Sequence, residues 1–133
     1  MPSIFPDLLA FKLFAPLVLR LILGVVFIIH GYPKLFKDFY GTVGWFDSVG
    51  IKPAKFWVLV VGITEFFGGI ALIVGFATQL AALLIAINMV VAIVLVKRKM
   101  GFVNGYEFDL ALLAMALALV FLGAGFYAID LPL

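Results

Sequence analysis

The sequence predicts an all-α fold, a bundle of four transmembrane helices, and three observations predict it. Of 133 residues, 67% are hydrophobic and 12% charged, with a mean hydropathy of +1.33. Soluble domains carry about 45 to 50% apolar and about 25% charged residues. The apolar residues gather in four runs, 13–31, 56–76, 80–96 and 108–128, which meet or approach the roughly 20 residues needed to cross a hydrocarbon core of about 30 Å. These runs are continuous, whereas an outer-membrane barrel shows strands of about 10 residues with alternating polarity. A compact soluble enzyme or nucleic-acid binder is thereby excluded. The formal net charge of +2 suggests no nucleic-acid partner either. One bundle accounts for residues 1–133 as a single domain.

The first run lacks a small-x-small cleavage site and leads directly into His30-Gly31-Tyr32-Pro33-Lys34, so it is expected to stay in the mature protein. In the loop 32–55, Phe39, Val43, Phe46 and Gly50 share one helical face, which predicts an interfacial amphipathic helix closed by Gly50 and Pro53. Only Ala77-Thr78-Gln79 separates the second and third runs, so these two form an antiparallel hairpin. The third run ends in Lys97-Arg98-Lys99, a stop against an anionic inner leaflet. With Lys34, Lys37, Lys52 and Lys55 in the first loop and only Lys12 on the other side, loops 32–55 and 97–107 are expected to be cytoplasmic and both termini outside. Phe56 and Trp57 anchor the inner interface. The fourth run opens with Glu107 and Asp109, which suit a helix N-terminus, and carries a packing seam of Ala111, Ala114 and Ala118.

An ionisable residue inside a membrane costs roughly 2.5 to 3.5 kcal/mol on insertion scales and so needs a partner or a purpose. Arg20, Glu65 and Asn88 lie within the apolar runs. At 1.5 Å per residue they fall about 10, 16 and 13 Å below the outer ends of their helices, which predicts a midplane cluster with an Arg20–Glu65 charge pair and Asn88 as third member. Gly24, Phe27 and Gly31 share the face of Arg20, and Gly62 and Gly69 flank Glu65. Such small residues let a neighbouring helix approach or leave room for a flat ligand. At the inner mouth, His30 and Lys34 sit one turn apart, and Glu107 and Asp109 begin the fourth run from the same side. Histidine is the side-chain type suited to proton exchange near neutral pH, and a lysine there also snorkels to headgroups. With no cysteine and one histidine, the chain has no thiol pair, and bis-histidine haem would need two chains. No metal-ligand spacing appears.

The words Arg20-Leu21-Ile22-Leu23-Gly24, Phe27 and His30-Gly31-x-x-Lys34-Leu35 resemble the start of the DoxX family of small four-helix membrane proteins. The likeness continues through Glu65-Phe66-x-Gly68-Gly69-x-x-Leu72, Gly75-x-x-Thr78, Glu107, Gly123-x-Gly125 and Ile129-Asp130. The resemblance implies Arg20, His30, Lys34, Glu65 and Thr78 as functional candidates, with Gly24, Gly31, Gly68, Gly69 and Gly75 as packing positions. It also implies association with membrane oxidoreductase systems, including thiosulfate:quinone oxidoreductase, quinol oxidase and oxidative-stress complexes.

Three functions compete on these grounds. In the first, the chain is a non-autonomous oxidoreductase subunit that binds quinone. Glu65 and His30 are then catalytic, exchanging protons, and Arg20, Lys34, Asn88, Gly24, Gly69 and Thr78 form the binding set; a protein partner carries the redox centre, and homo-oligomers are compatible. In the second, the chain is a scaffold or assembly protein whose Arg–Glu pair only locks the bundle. In the third, it is a proton or small-solute conduit along Arg20, Glu65 and Asn88 toward His30.

Overall fold

A computed structural model describes residues 1–131 of the chain. After a short 3₁₀ turn at Pro6–Phe11, five α-helices follow: α1 (Phe14–Tyr32), α2 (Phe39–Ser48), α3 (Ala54–Val74), α4 (Thr78–Leu95) and α5 (Glu107–Leu122). Four helical segments, Phe14–Lys37, Ala54–Val74, Thr78–Leu95 and Phe102–Leu122, are long and apolar enough to cross a membrane. The four-helix bundle expected from the sequence is therefore present, with three of the four helices displaced by only one or two residues.

The helix ends follow from local chemistry. Pro33 lacks an N–H and ends the regular part of α1, which continues as a wider turn closed by the Asp38 N–H on the Pro33 carbonyl at 2.7 Å. Gly75 (φ 71°) ends α3 in the left-handed region, with the Phe76 N–H on the Ala71 carbonyl at 2.9 Å, a Schellman closure. The fourth membrane helix stops at Leu122 rather than near Ala128, a correction to the sequence reading. Gly123 and Gly125 take positive φ there, and the tail 123–131 turns back across the bundle.

Two antiparallel helix pairs build the molecule. In the first, α1 and α3 touch almost backbone to backbone. A Cβ added to Gly24 would lie 2.7 Å from the Gly69 carbonyl oxygen, and one on Gly31 would lie 2.6 Å from the Phe66 nitrogen. In the second, Ala82, Ile85, Ala86 and Met89 of α4 bury against Leu112, Ala116 and Leu119 of α5, and Leu23, Phe27 and Leu72 from the first pair complete that core. The alanine stripe expected to pack is not the buried one: Ala111 and Ala114 face outward. Helix α2 spends its apolar face on α3, with Phe46 buried against Ala54 and Val58, and Phe39 and Val43 packed around them.

The seam between α1 and α3 has no room for a side chain at Gly24. Gly24→Ala is expected to destabilise the detergent-solubilised protein by about 1 to 3 kcal/mol, the usual cost of overpacking. Gly44→Ala, at a helical position with open space around it, should leave stability unchanged or raise it by up to about 1 kcal/mol. Thermal unfolding of both in one detergent compares them; equal effects would contradict the seam.

Candidate functional site

The two pairs separate toward the end of the bundle that carries the loops 33–53 and 96–106. Between them lies a cavity of about 600 Å³. Its polar centre is Glu65, midway along α3. Lys34, on the wide turn that continues α1, donates from Nζ to Glu65 Oε2 at 2.6 Å and to the His30 carbonyl at 3.1 Å. Asn88 of α4 donates from Nδ2 to Glu65 Oε1 at 3.1 Å. Both oxygens of a nearly buried carboxylate are thus partnered, as burial demands. Asn88 comes from the opposite helix pair, so this bond also bridges the cavity.

Around this centre the walls are apolar and aromatic. Phe27, Met89 and Leu112 line the interior, and Trp45, Trp57 and Phe108 stand toward the outside. The chain has two tryptophans and both line this cavity. His30 is exposed at the rim, its ring 6.3 Å from that of Phe108. A second carboxylate, Asp109 in the first turn of α5, also faces the cavity, with Lys97 Nζ at 3.9 Å.

The structure brings Glu65, His30, Lys34 and Asn88 together and leaves Arg20, Gly24, Gly69 and Thr78 elsewhere. The expected Arg20–Glu65 pair does not form. Gly31 is the residue of α1 that packs on Glu65, its virtual Cβ 3.0 Å from Glu65 Cβ, and the helix from Arg20 to Gly31 is about 16 Å long. Arg20 and Glu65 lie at different depths because the helix ends are not level. The start of α1 projects past the end of α3 and is covered by the tail, where the Phe126 N–H meets the Leu13 carbonyl at 3.2 Å. Gly24 and Gly69 face each other in the seam, where no ligand fits.

Arg20 works instead at the opposite, terminal end. Fully buried, it donates from Nη2 to the carbonyls of Phe126 (2.7 Å) and Tyr127 (3.0 Å) in the tail. From Nη1 it donates to those of Leu72 (3.4 Å) and Ile73 (3.5 Å) at the end of α3. Those last carbonyls have no partner within a helix, and a cation suits that negative end of the dipole. Asp130 takes the complementary position, accepting the Ala77 N–H at 2.8 Å and the Thr78 N–H at 2.7 Å at the start of α4. Partial burial pushes the Asp130 carboxyl up. The donors of Thr78 and Ala77 and the nearby charge of Arg20 outweigh it and hold the carboxyl below the ordinary carboxylate range. Thr78 is thereby a capped helix start.

The sequence places Asp109 at the inner mouth with His30 and Lys34 but only as a helix-start carboxylate, and it does not mark Trp45 and Trp57 as cavity residues. A signal existed for the first, since Lys97 closes one apolar run and Asp109 opens the next, which places opposite charges at neighbouring helix ends. For the tryptophans there was none beyond their interfacial position.

A family model described as DoxX matches residues 15–98, a span that includes Lys34, Glu65, Asn88 and Lys97. Among curated proteins, the chain is 36% identical over 114 residues to the Bacillus subtilis (strain 168) protein named "Putative oxidoreductase CatD", covering 86% of this chain and 83% of that one. It is 30% identical over 126 residues to an uncharacterized membrane protein of Mycobacterium tuberculosis, covering 84% and 77%. An uncharacterized protein of Haemophilus influenzae is 33% identical over 118 residues, covering 84% and 85%. No solved structure matches the chain.

The terminal latch gives a pH-dependent expectation. Because the Asp130 carboxyl is depressed in the folded protein, its cap contributes fully above the unfolded aspartate value of about 3.9. That contribution is lost as the pH falls through the lower folded value. Asp130→Asn should cost about 1 kcal/mol at neutral pH, as helix caps do, and should lose less stability than the parent on going to pH 3. Arg20→Met, which removes the hydrogen bonds from a buried cation to four carbonyls, should cost on the order of 3 kcal/mol. Thermal melts from pH 3 to 7 in one detergent measure both.

Proposed function

The chain belongs to the DoxX family of membrane proteins, and from that premise we propose that it is the membrane subunit of an oxidoreductase system whose loop-end cavity takes the ring of a quinone. One observation carries this reading: the about 600 Å³ cavity gathers the proton-exchanging residues Glu65, Lys34 and His30 within an otherwise apolar, aromatic wall. Ligand sites run to about 300 to 1,000 Å³, mostly apolar with a few convergent polar groups, so a flat quinone head suits both its size and its lining. The name carried by the Bacillus subtilis relative supports an oxidoreductase context.

A quinone supplies a two-electron, two-proton couple, and the electrons come from a protein partner, because this cysteine-free chain offers no thiol relay. The residues of the chain manage the protons. Asn88 and Lys34 hold the Glu65 carboxylate against the cavity, and Lys34, hydrogen-bonded to the His30 carbonyl, connects it to the rim. His30 then exchanges with water at the loop end, a general acid–base role. Arg20 and Thr78 have no part in this site and serve the terminal latch. In the orientation proposed from the lysine distribution, the cavity mouth faces the cytoplasm and both termini lie outside the plasma membrane.

The full partnering of Glu65 favours one second reading, in which Lys34, Glu65 and Asn88 only lock the bundle of a scaffold or assembly protein. The conduit reading gains no support, since Arg20 and the tail close the terminal end.

Mass spectrometry of organic extracts from the mildly solubilised protein separates the two. Quinone near stoichiometric with wild-type protein, and well above an unrelated four-helix protein, supports the site. In the assembled complex, Glu65→Gln should then lower quinone-linked turnover by about 10² or more while the protein still folds. Quinone only at the level of bulk lipid, with Glu65→Gln changing nothing but stability, supports the scaffold and overturns the proposal.

A further inference from the structure

Each of the two helix pairs carries one lysine–carboxylate pair, and both open on the same cavity. Lys34 and Glu65 belong to the α1–α3 pair at 2.6 Å, and Lys97 and Asp109 to the α4–α5 pair at 3.9 Å. Sequence and helix register place them unequally: Glu65 is midway along α3, whereas Asp109 lies in the first turn of α5 at the loop end. Asp109 is buried as a residue although it sits at a helix start, where a carboxylate serving only the helix dipole is ordinarily solvated. From the site proposed above, which this inference rests on and deepens, we infer that Asp109, with Lys97, forms the second proton-exchanging pair of the cavity. The ligand class it fits is a carrier that takes up two protons at two separate oxygens.

The chemistry balances with two such pairs. In each pair the lysine ammonium is the proton source, and the carboxylate beside it steadies that charge before release. Together they supply the two protons that accompany two electrons from a redox partner protein with a reduced flavin or metal centre, converting both carbonyl oxygens of a quinone to hydroxyls. Each pair that releases its proton is left with one more negative charge and is recharged from water at the loop-end mouth. The charged and titratable groups facing Asp109 across the cavity are Lys97 after α4, His30 and Lys34 on α1 and its extension, Glu65 on α3, and Lys52 after α2. Among them Lys97 is the cation that pairs with Asp109, while Glu65 already holds Lys34.

The test uses the intact protein in nanodiscs with decylbenzoquinone as probe and electrodes as the electron source, so no partner is required. Binding is read first, by quenching of Trp45 and Trp57, both of which line the cavity. Infrared difference spectra on electrochemical reduction then report each carboxylate whose paired ammonium gives up its proton, as a shift of the carboxylate stretch. The wild type should show two carboxyl signals: Glu65→Gln removes one, Asp109→Asn the other, and aspartate isotope labelling of the wild type shifts only the latter. Quenching with a single carboxyl signal that Asp109→Asn and aspartate labelling leave unchanged overturns the role of Asp109 while leaving the quinone site standing. Absence of any quenching in the wild type overturns the site and this inference together. The labelling arm needs no variant, so a poorly folding Asp109→Asn leaves the decision intact.

Discussion

Close packing of α1 on α3 sets the register on which both polar clusters depend. With Gly24 against Gly69 and Gly31 against Phe66, the two backbones approach as no side chain would allow, and apolar helices in lipid associate through such contacts because burial from water offers them no drive. That approach leaves one alignment. It sets Lys34 opposite Glu65 and puts Arg20 level with the end of α3, so that two charges within reach of apolar depth each meet a partner. A slip of one helical turn would strand both.

Satisfying polar groups away from bulk water is the second demand, and the chain meets most of it by using helix ends, with Arg20 Nε and the Thr78 hydroxyl left unpartnered. Arg20 collects four carbonyls, two from the last turn of α3 and two from the tail, while Asp130 covers two N–H groups at the start of α4. The cation sits at the negative end of one helix and the anion at the positive end of the next. Gly75 is indispensable to this arrangement for two reasons. It adopts a positive φ, and a Cβ there would collide with the Arg20 guanidinium and with Ala128. The tail is thereby part of the bundle, stitched to α1 through Leu13 and to α3 through Val74 and Gly75.

The two ends of the molecule consequently differ in kind. The terminal end is closed by backbone hydrogen bonds around a buried arginine. The loop end stays open between the helix pairs, bridged across the gap by the Asn88–Glu65 hydrogen bond and flanked by α2. An open depression beside Thr78, Gly123 and Asp130 remains at the terminal end, whereas the loop-end cavity reaches the polar centre at Glu65.

Composition and hydropathy alone determined that the chain is a membrane bundle of four spanning helices, because the need to satisfy backbone groups in lipid leaves little else for continuous apolar runs. The α2 segment and the pairing of the second and third spans were equally legible, from a four-residue spacing and a three-residue turn. Glu65 with Asn88, and His30 with Lys34, could be singled out because a polar residue in an apolar run stands out wherever it is. Which of them meet could not be read. All four spans are apolar on every side, so periodicity does not say which face is buried, and the alanine stripe of α5 was assigned to the wrong one. Nor does helix length reveal how far one helix slides past another: the overhang of α1 past α3 separates Arg20 from Glu65, and only the packed seam fixes it. The tail, apolar and next to a helix, reads as more helix until Gly123 and Gly125 take positive φ and Arg20 captures the carbonyls beyond them. These were tertiary decisions, since each depends on contacts between residues far apart in the chain.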